Sequence, residues 1–230
     1  ELLLGWTRDE HRLWLVPGGL MERVDRLGAV ALAGAMARCR CGSEVPRGYR
    51  TLHPEAGTAD LVGRLVTDHL LCVPLHRLAD ARQEPSYVYE FAWPSRLPGL
   101  GACHALELGF VFDTGETPES RRLAGQGAPR QLADVMHTAW VRFARDGDPG
   151  WERWDATHPV RVFADPDPDA EDALAYTAHG PRDRELALWA RDATTPDTTA
   201  PALVDAGQPR GTELRAAVRR IRRAGALRRR

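Results

Sequence analysis

The chain contains no lysine: all 31 of its Lys-or-Arg positions are arginine. A GC bias in the coding DNA explains that more simply than a ligand does, so arginine content carries no functional weight. Serine is nearly as scarce. The four serines, Ser43, Ser86, Ser95 and Ser120, have no Gly-x-Ser-x-Gly frame, the pattern that sets a nucleophile on a strand-to-helix elbow. Cysteine is limited to Cys39, Cys41, Cys72 and Cys103. The Cys39–Cys41 spacing is too short for a usual zinc pair and no second close pair completes a site, so these are ordinary thiols or one disulfide at most. No apolar stretch approaches the roughly 18–20 residues that cross a bilayer. Glu1 stands where a Met would start a protein, and Leu2 to Leu4 begin in mid-strand. No leader can be read, and cytoplasmic and secreted locations both stay open.

What is present suits a globular protein. Hydrophobic residues make up 43% and charged residues 27% of 230 positions, enough to build a sizeable core. The formal net charge of −1 hides an asymmetry, because Arg210 to Arg230 holds nine Arg and one Glu. The rest of the chain is therefore clearly acidic.

Along the chain, Leu2 to Leu4 form a short apolar run ending at Gly5, the signature of a buried parallel strand. Leu20, Val24, Leu27 and Ala31 predict a helix over about residues 19–37, and residues 39–57 read as loop. Leu61, Val62, Leu65, Val66, Leu70 and Val73 mark a second helix, with Pro74 as its kink or break. Tyr87 to Trp93 is a strand between prolines. Leu132, Val135, Met136, Ala139, Trp140 and Phe143 give one face of a helix from Arg130 to Arg145. Val160 to Phe163 is a short strand and Glu185 to Arg191 a short helix. Alternating strands and helices predict an α/β fold around a parallel sheet.

Two titratable residues stand in small or apolar surroundings: Glu10, after the first strand, and His104, within Gly101-Ala102-Cys103-His104-Ala105-Leu106-Glu107. A base in acyl transfer must titrate near neutrality, which suits imidazole, and a carboxylate must hold it in one tautomer. Glu10 lies just beyond a strand's carboxyl end, where open α/β sheets gather functional groups. An elbow hydrolase orders its triad Ser, then acid, then His. This chain has the last two in that order and begins just before the first of them. It reads as the back half of an enzyme, with no nucleophile of its own.

Four segments carry a family resemblance. Gly5-Trp6-Thr7-Arg8-Asp9-Glu10 resembles the acid loop of type-B carboxylesterases, the cholinesterase-like branch of the α/β-hydrolases. Val66-Thr67-Asp68-His69-Leu70-Leu71-Cys72-Val73-Pro74-Leu75-His76-Arg77-Leu78-Ala79 is similar to their Thr-Asp helix. His104-Ala105-Leu106-Glu107-Leu108-Gly109-Phe110-Val111-Phe112 resembles their histidine segment, and Trp140 to Pro149, with Trp154, their closing helix and turn. The resemblance implies the C-terminal portion of an α/β-hydrolase fold, a mostly parallel sheet with flanking helices whose N-terminal half is absent. It gives Glu10 the acid role and His104 the base role, and makes Asp68, Glu107, Trp140 and Phe143 structural. One departure stands out: the family's acid loop continues with Gly, and here His11 follows the glutamate.

The expected organisation is residues 1–191 as the C-terminal part of a carboxylesterase domain, 192–211 as a flexible linker and 212–230 as a basic amphipathic tail. The expected parent activity is hydrolysis of a small-molecule carboxylic ester through a serine acyl-enzyme, with no metal or organic cofactor. The nucleophile and oxyanion loop belong to the missing N-terminal half, so the chain alone is expected to be silent. The alternatives are a non-catalytic interaction protein on a hydrolase scaffold, or a binder of nucleic acid or anionic surfaces through Arg210 to Arg230. The plain reading of that tail is a solvated extension, since no aromatic residue is interleaved with its arginines.

Overall fold

The apolar run at the front becomes strand β1 (Leu2–Thr7) in a computed structural model that describes residues 1–165 and 174–192. It runs past Gly5, where the sequence suggested an end. A Cβ on Gly5 would lie 2.2 Å from the Tyr89 ring, so this glycine makes room for a cross-strand aromatic and does not terminate the strand. After a turn come α1 (Arg12–Leu15), α2 (Leu20–Leu27) and α3 (Ala29–Cys39). The single helix expected over 19–37 is thus two. Gly28, at φ +51°, takes a backbone conformation that a continuous helix cannot contain.

The expected loop over 39–57 holds another helix, α4 (Glu44–Leu52). Pro46 and Gly48 obscured it. Pro46 sits in its first turn, where its missing N–H is harmless, and a Cβ on Gly48 would lie 2.4 Å from Leu188. Next, α5 (Thr58–Thr67) leads through one π-helical turn (Asp68–Cys72) into α6 (Val73–Ala81). Pro74 lies in the first turn of α6, so the expected break is a wide turn and a restart.

Strand β2 (Ser86–Phe91) follows, then the short helices α7 (Leu108–Val111) and α8 (Pro118–Ala124) and the long α9 (Arg130–Asp146). Strands β3 (Pro159–Phe163) and β4 (Ala175–His179) and helix α10 (Asp183–Asp192) complete the described chain. The expected linker therefore begins one residue inside α10. Its remainder and the basic tail lie outside the described residues.

The sheet order is β1-β2-β3-β4; the first two pairings are parallel and the last is antiparallel. Strand β4 was not foreseen, because its exposed and half-buried positions at the sheet edge lack a strong apolar pattern. Side chains alternate across the sheet. Trp6, Val88, Val160 and Val162 pack with Cys72 and Ala79 on the side of α6. Phe91 and Phe163 pack with Phe110, Leu132 and Met136 on the side of α7 and α9. Trp140 meets Tyr89 edge-on at 4.8 Å, which docks α9 on the sheet.

A third core joins α3, α4, α5 and α10 through Cys39, Val45, Tyr49, Leu61, Leu65 and Trp189. A buried polar network ties it down: Asp68 accepts hydrogen bonds from Tyr49 and Arg182, and the Trp189 Nε1–H donates to Tyr49 at 2.8 Å.

Candidate active site

The first two parallel strands set the site. Beyond their paired ends, the Arg8 N–H donates to the Phe91 carbonyl at 2.9 Å, extending the ladder by one bond. The next bond joins two loops: the Asp9 N–H donates to the Ala102 carbonyl at 2.9 Å. In return, the Ala102 N–H donates to Asp9 Oδ2 at 3.0 Å. Gly101 permits this closeness. It sits at φ +55°, and a Cβ there would lie 2.3 Å from Asp9 Oδ2.

Within the acid loop the chain folds back, and the Thr7 N–H donates to Glu10 Oε1 at 2.7 Å. With one oxygen fixed, the other faces the histidine loop. Glu10 Oε2 lies 2.5 Å from His104 Nδ1. The Glu10 side chain is 6% exposed and that of His104 46% exposed, so a buried carboxylate holds a ring that remains accessible. An ionised carboxylate only accepts, which places the proton on Nδ1 and leaves the Nε2 lone pair to act as a base.

The hydrogen bond to Glu10 raises the His104 pKa above that of an ordinary imidazole. Burial opposes the rise, and the charges of Glu10 and Glu107 add to it. Burial also pushes the Glu107 carboxyl up, and one of its oxygens is buried with no hydrogen-bond partner among the described residues. Next to the histidine, burial pushes the Cys103 thiol up to about 12, which keeps it protonated and a poor nucleophile near neutrality.

Glu10 and His104, the two predicted site residues, are thus brought together. His11 does not displace the carboxylate: it takes ordinary right-handed helical angles at φ −62° and turns its ring away into a buried position. The serines lie elsewhere. Ser86 is buried at the start of β2, the end of the sheet away from the loops. Ser95 donates to the Leu123 carbonyl, Ser43 pairs with Arg47, and Ser120 with Thr117. No group of three or more His, Cys, Asp and Glu side chains that could hold a metal occurs among the described residues. None of the described helices is long and apolar enough to cross a membrane.

Sequence reasoning missed three features of the site. The Asp9–Ala102 link left no signal beyond an acid beside Glu10 and a small residue near His104. Trp14, on α1, lies against the His104 ring with centroids 4.9 Å apart; its place one helical turn past Glu10 was the available cue. Glu107, a structural position by the resemblance, also contributes to the raised His104 pKa.

The Carboxylesterase family matches residues 44–168, a span that includes His104 and leaves out Glu10. The chain is 32% identical over 165 residues to the para-nitrobenzyl esterase of Bacillus subtilis (strain 168), covering 68% of this chain and 32% of that protein. It is 28% identical over 195 residues to the phenmedipham hydrolase of Pseudarthrobacter oxydans, covering 78% of this chain and 38% of that one. The crystal structure of the Geobacillus stearothermophilus carboxylesterase EST55 superposes with a TM-score of 0.65 at 28% identity, covering 81% of this chain and 40% of that one. The chain thus spans 32% to 40% of these proteins' length, and the shared architecture is that of their α/β-hydrolase fold.

Proposed function

Because the chain belongs to the carboxylesterase family, we propose that it carries the base and the acid of a serine ester hydrolase, His104 and Glu10. The observation that carries this reading is the 2.5 Å contact between Glu10 Oε2 and His104 Nδ1, made by a buried acid and an accessible ring.

In the proposed reaction, His104 Nε2 takes the proton of a serine hydroxyl as its oxygen attacks the ester carbonyl. Glu10 fixes the ring's orientation and stabilises the imidazolium. As the bond from the carbonyl carbon to the alkoxide oxygen breaks, His104 gives that proton to the alkoxide, which departs as the alcohol and leaves an acyl-serine. Water enters, loses a proton to Nε2 and attacks the acyl carbon. The carboxylic acid departs, and the proton returns to the serine oxygen.

The serine belongs to polypeptide outside these 230 residues, together with the backbone N–H groups that stabilise the oxyanion. Two observations support this part of the reading. The serines present are engaged elsewhere or lie at the far end of the sheet, and the chain spans only 32% and 38% of the para-nitrobenzyl esterase and the phenmedipham hydrolase it resembles. The substrate is accordingly a small carboxylic ester.

The test compares hydrolysis of p-nitrophenyl acetate by the 230-residue chain and by the same chain extended upstream through a Gly-x-Ser-x-Gly elbow. The expected result is the buffer rate for the first and catalysis for the second, with His104→Ala lowering the second by about 10³-fold or more. Turnover by the 230-residue chain alone, or full activity in His104→Ala, overturns the proposal.

A further inference from the structure

His11 directly follows the acid Glu10, and its surroundings accommodate its ring closely. The residue is 6% exposed. Its ring lies over Gly63 of α5, where a Cβ would come within 2.1 Å of His11 Cδ2, so the helix has no side chain where the ring sits. One turn earlier on α5, Asp60 Oδ1 lies 3.5 Å from His11 Nε2, longer than a good hydrogen bond, and neither buried ring nitrogen has a hydrogen-bond partner among the described residues. The adjacent Arg12 donates from Nη2 to the same oxygen at 2.8 Å.

Arg12 then connects onward. Its Nη1 donates to the Gly99 carbonyl at 3.1 Å, at the start of the histidine loop, and its Nε lies 3.7 Å from Asp9 Oδ1. Asp9 is the residue whose other oxygen accepts from Ala102. Residues on both sides of Glu10 are therefore held: Asp9 by the histidine loop, and His11 and Arg12 by α5.

We propose that His11 and Asp60 form a positioning pair that anchors the acid loop to α5 and so fixes the Glu10 carboxylate against His104. Neither residue touches the reacting atoms; both act through Glu10. The low pKa of Asp60, held at about 2 by His11 first and by Arg12 against the effect of burial, is consistent with a charged partner for the ring. The inference rests on the acid–base reading of Glu10 and His104.

The test follows the His104 ring by NMR in the 230-residue chain and in the variants Asp60→Asn and His11→Gly. If the Glu10–His104 reading itself fails, the wild-type chain already shows an ordinary imidazole midpoint and no low-field Nδ1–H signal, which separates that failure from this one. The expected result is a wild-type low-field signal that weakens or moves upfield in both variants, with the His104 midpoint falling by about half a pH unit or more. The change persists at high salt, where a long-range charge effect would be screened. A lower Tm with an unmoved His104 signal and midpoint assigns the pair a structural role only and overturns the proposal. Unfolding of His11→Gly leaves Asp60→Asn to decide. Unfolding of both also overturns it, because a pair required by the whole fold is not specific to the acid loop.

Discussion

Asp9 and Ala102 hold each other by two hydrogen bonds, one from the Asp9 N–H to the Ala102 carbonyl and one from the Ala102 N–H back to the Asp9 carboxylate. This is where the loops after β1 and β2 are joined, and Glu10 and His104 follow it on either side. A parallel sheet brings two loops to the same edge; the Asp9–Ala102 link sets their register.

Gly101→Ala should break that link. The new Cβ meets the Asp9 carboxylate and the residue is forced into left-handed angles at φ +55°. A loss of about 1–3 kcal/mol is expected in urea unfolding. An unchanged urea midpoint would show that the loops tolerate separation.

Ala105→Gly should have the opposite sign. Ala105 sits at φ +64°, directly after His104. An alanine held there is strained, and glycine relieves the strain, so a gain of about 1 kcal/mol is expected from the same unfolding measurement. A loss of stability would mean that the lower entropy of alanine in the unfolded chain outweighs the strain.

The raised His104 pKa makes a pH-dependent contribution to stability, and its sign is fixed. A histidine with a higher pKa folded than unfolded stabilises the fold fully below its unfolded value, about 6.5. That contribution is lost as pH rises through the folded midpoint. Glu10→Gln removes the main cause of the rise. The stability gap between wild type and variant should therefore be widest at low pH and narrow through that window. A gap that is constant or widens with pH contradicts the assigned cause.

Arg182→Ala tests the buried network behind the site. Asp68 is fully buried, and removing Arg182 leaves its charge without its cationic partner. A loss of roughly 3–5 kcal/mol is expected. Tyr49→Phe removes a neutral donor to Asp68 and also the acceptor of the Trp189 Nε1–H, and should lose about 2 kcal/mol. A loss from Arg182→Ala no larger than that from Tyr49→Phe would contradict this ranking.

Much of this was legible in the sequence where the physical signal was periodic or chemical. The face running Leu132, Met136, Ala139 and Trp140 specified α9 almost to its ends, because 3.6-residue spacing survives in any context. Glu10 and His104 could be paired through the resemblance of their segments and the chain order of acid and base. Composition hid α4, since Pro46 and Gly48 argue against a helix until Leu188 is seen to need the space beside Gly48. Register and loop contacts stayed hidden because they form between segments far apart in the chain. Asp9 meets Ala102 and His11 meets Gly63 only after the sheet and α5 have assembled.

The central claim is that His104 and Glu10 act as one unit on an ester, and a double-mutant cycle on kcat/KM tests it most directly. The chain extended upstream to carry its nucleophile is measured as wild type, His104→Ala, Glu10→Gln and the double variant. The account predicts a large loss for each single variant, with Glu10→Gln adding no more than about threefold once His104 is gone. Effects that multiply in the double variant, or a Glu10→Gln enzyme as fast as wild type, would contradict it.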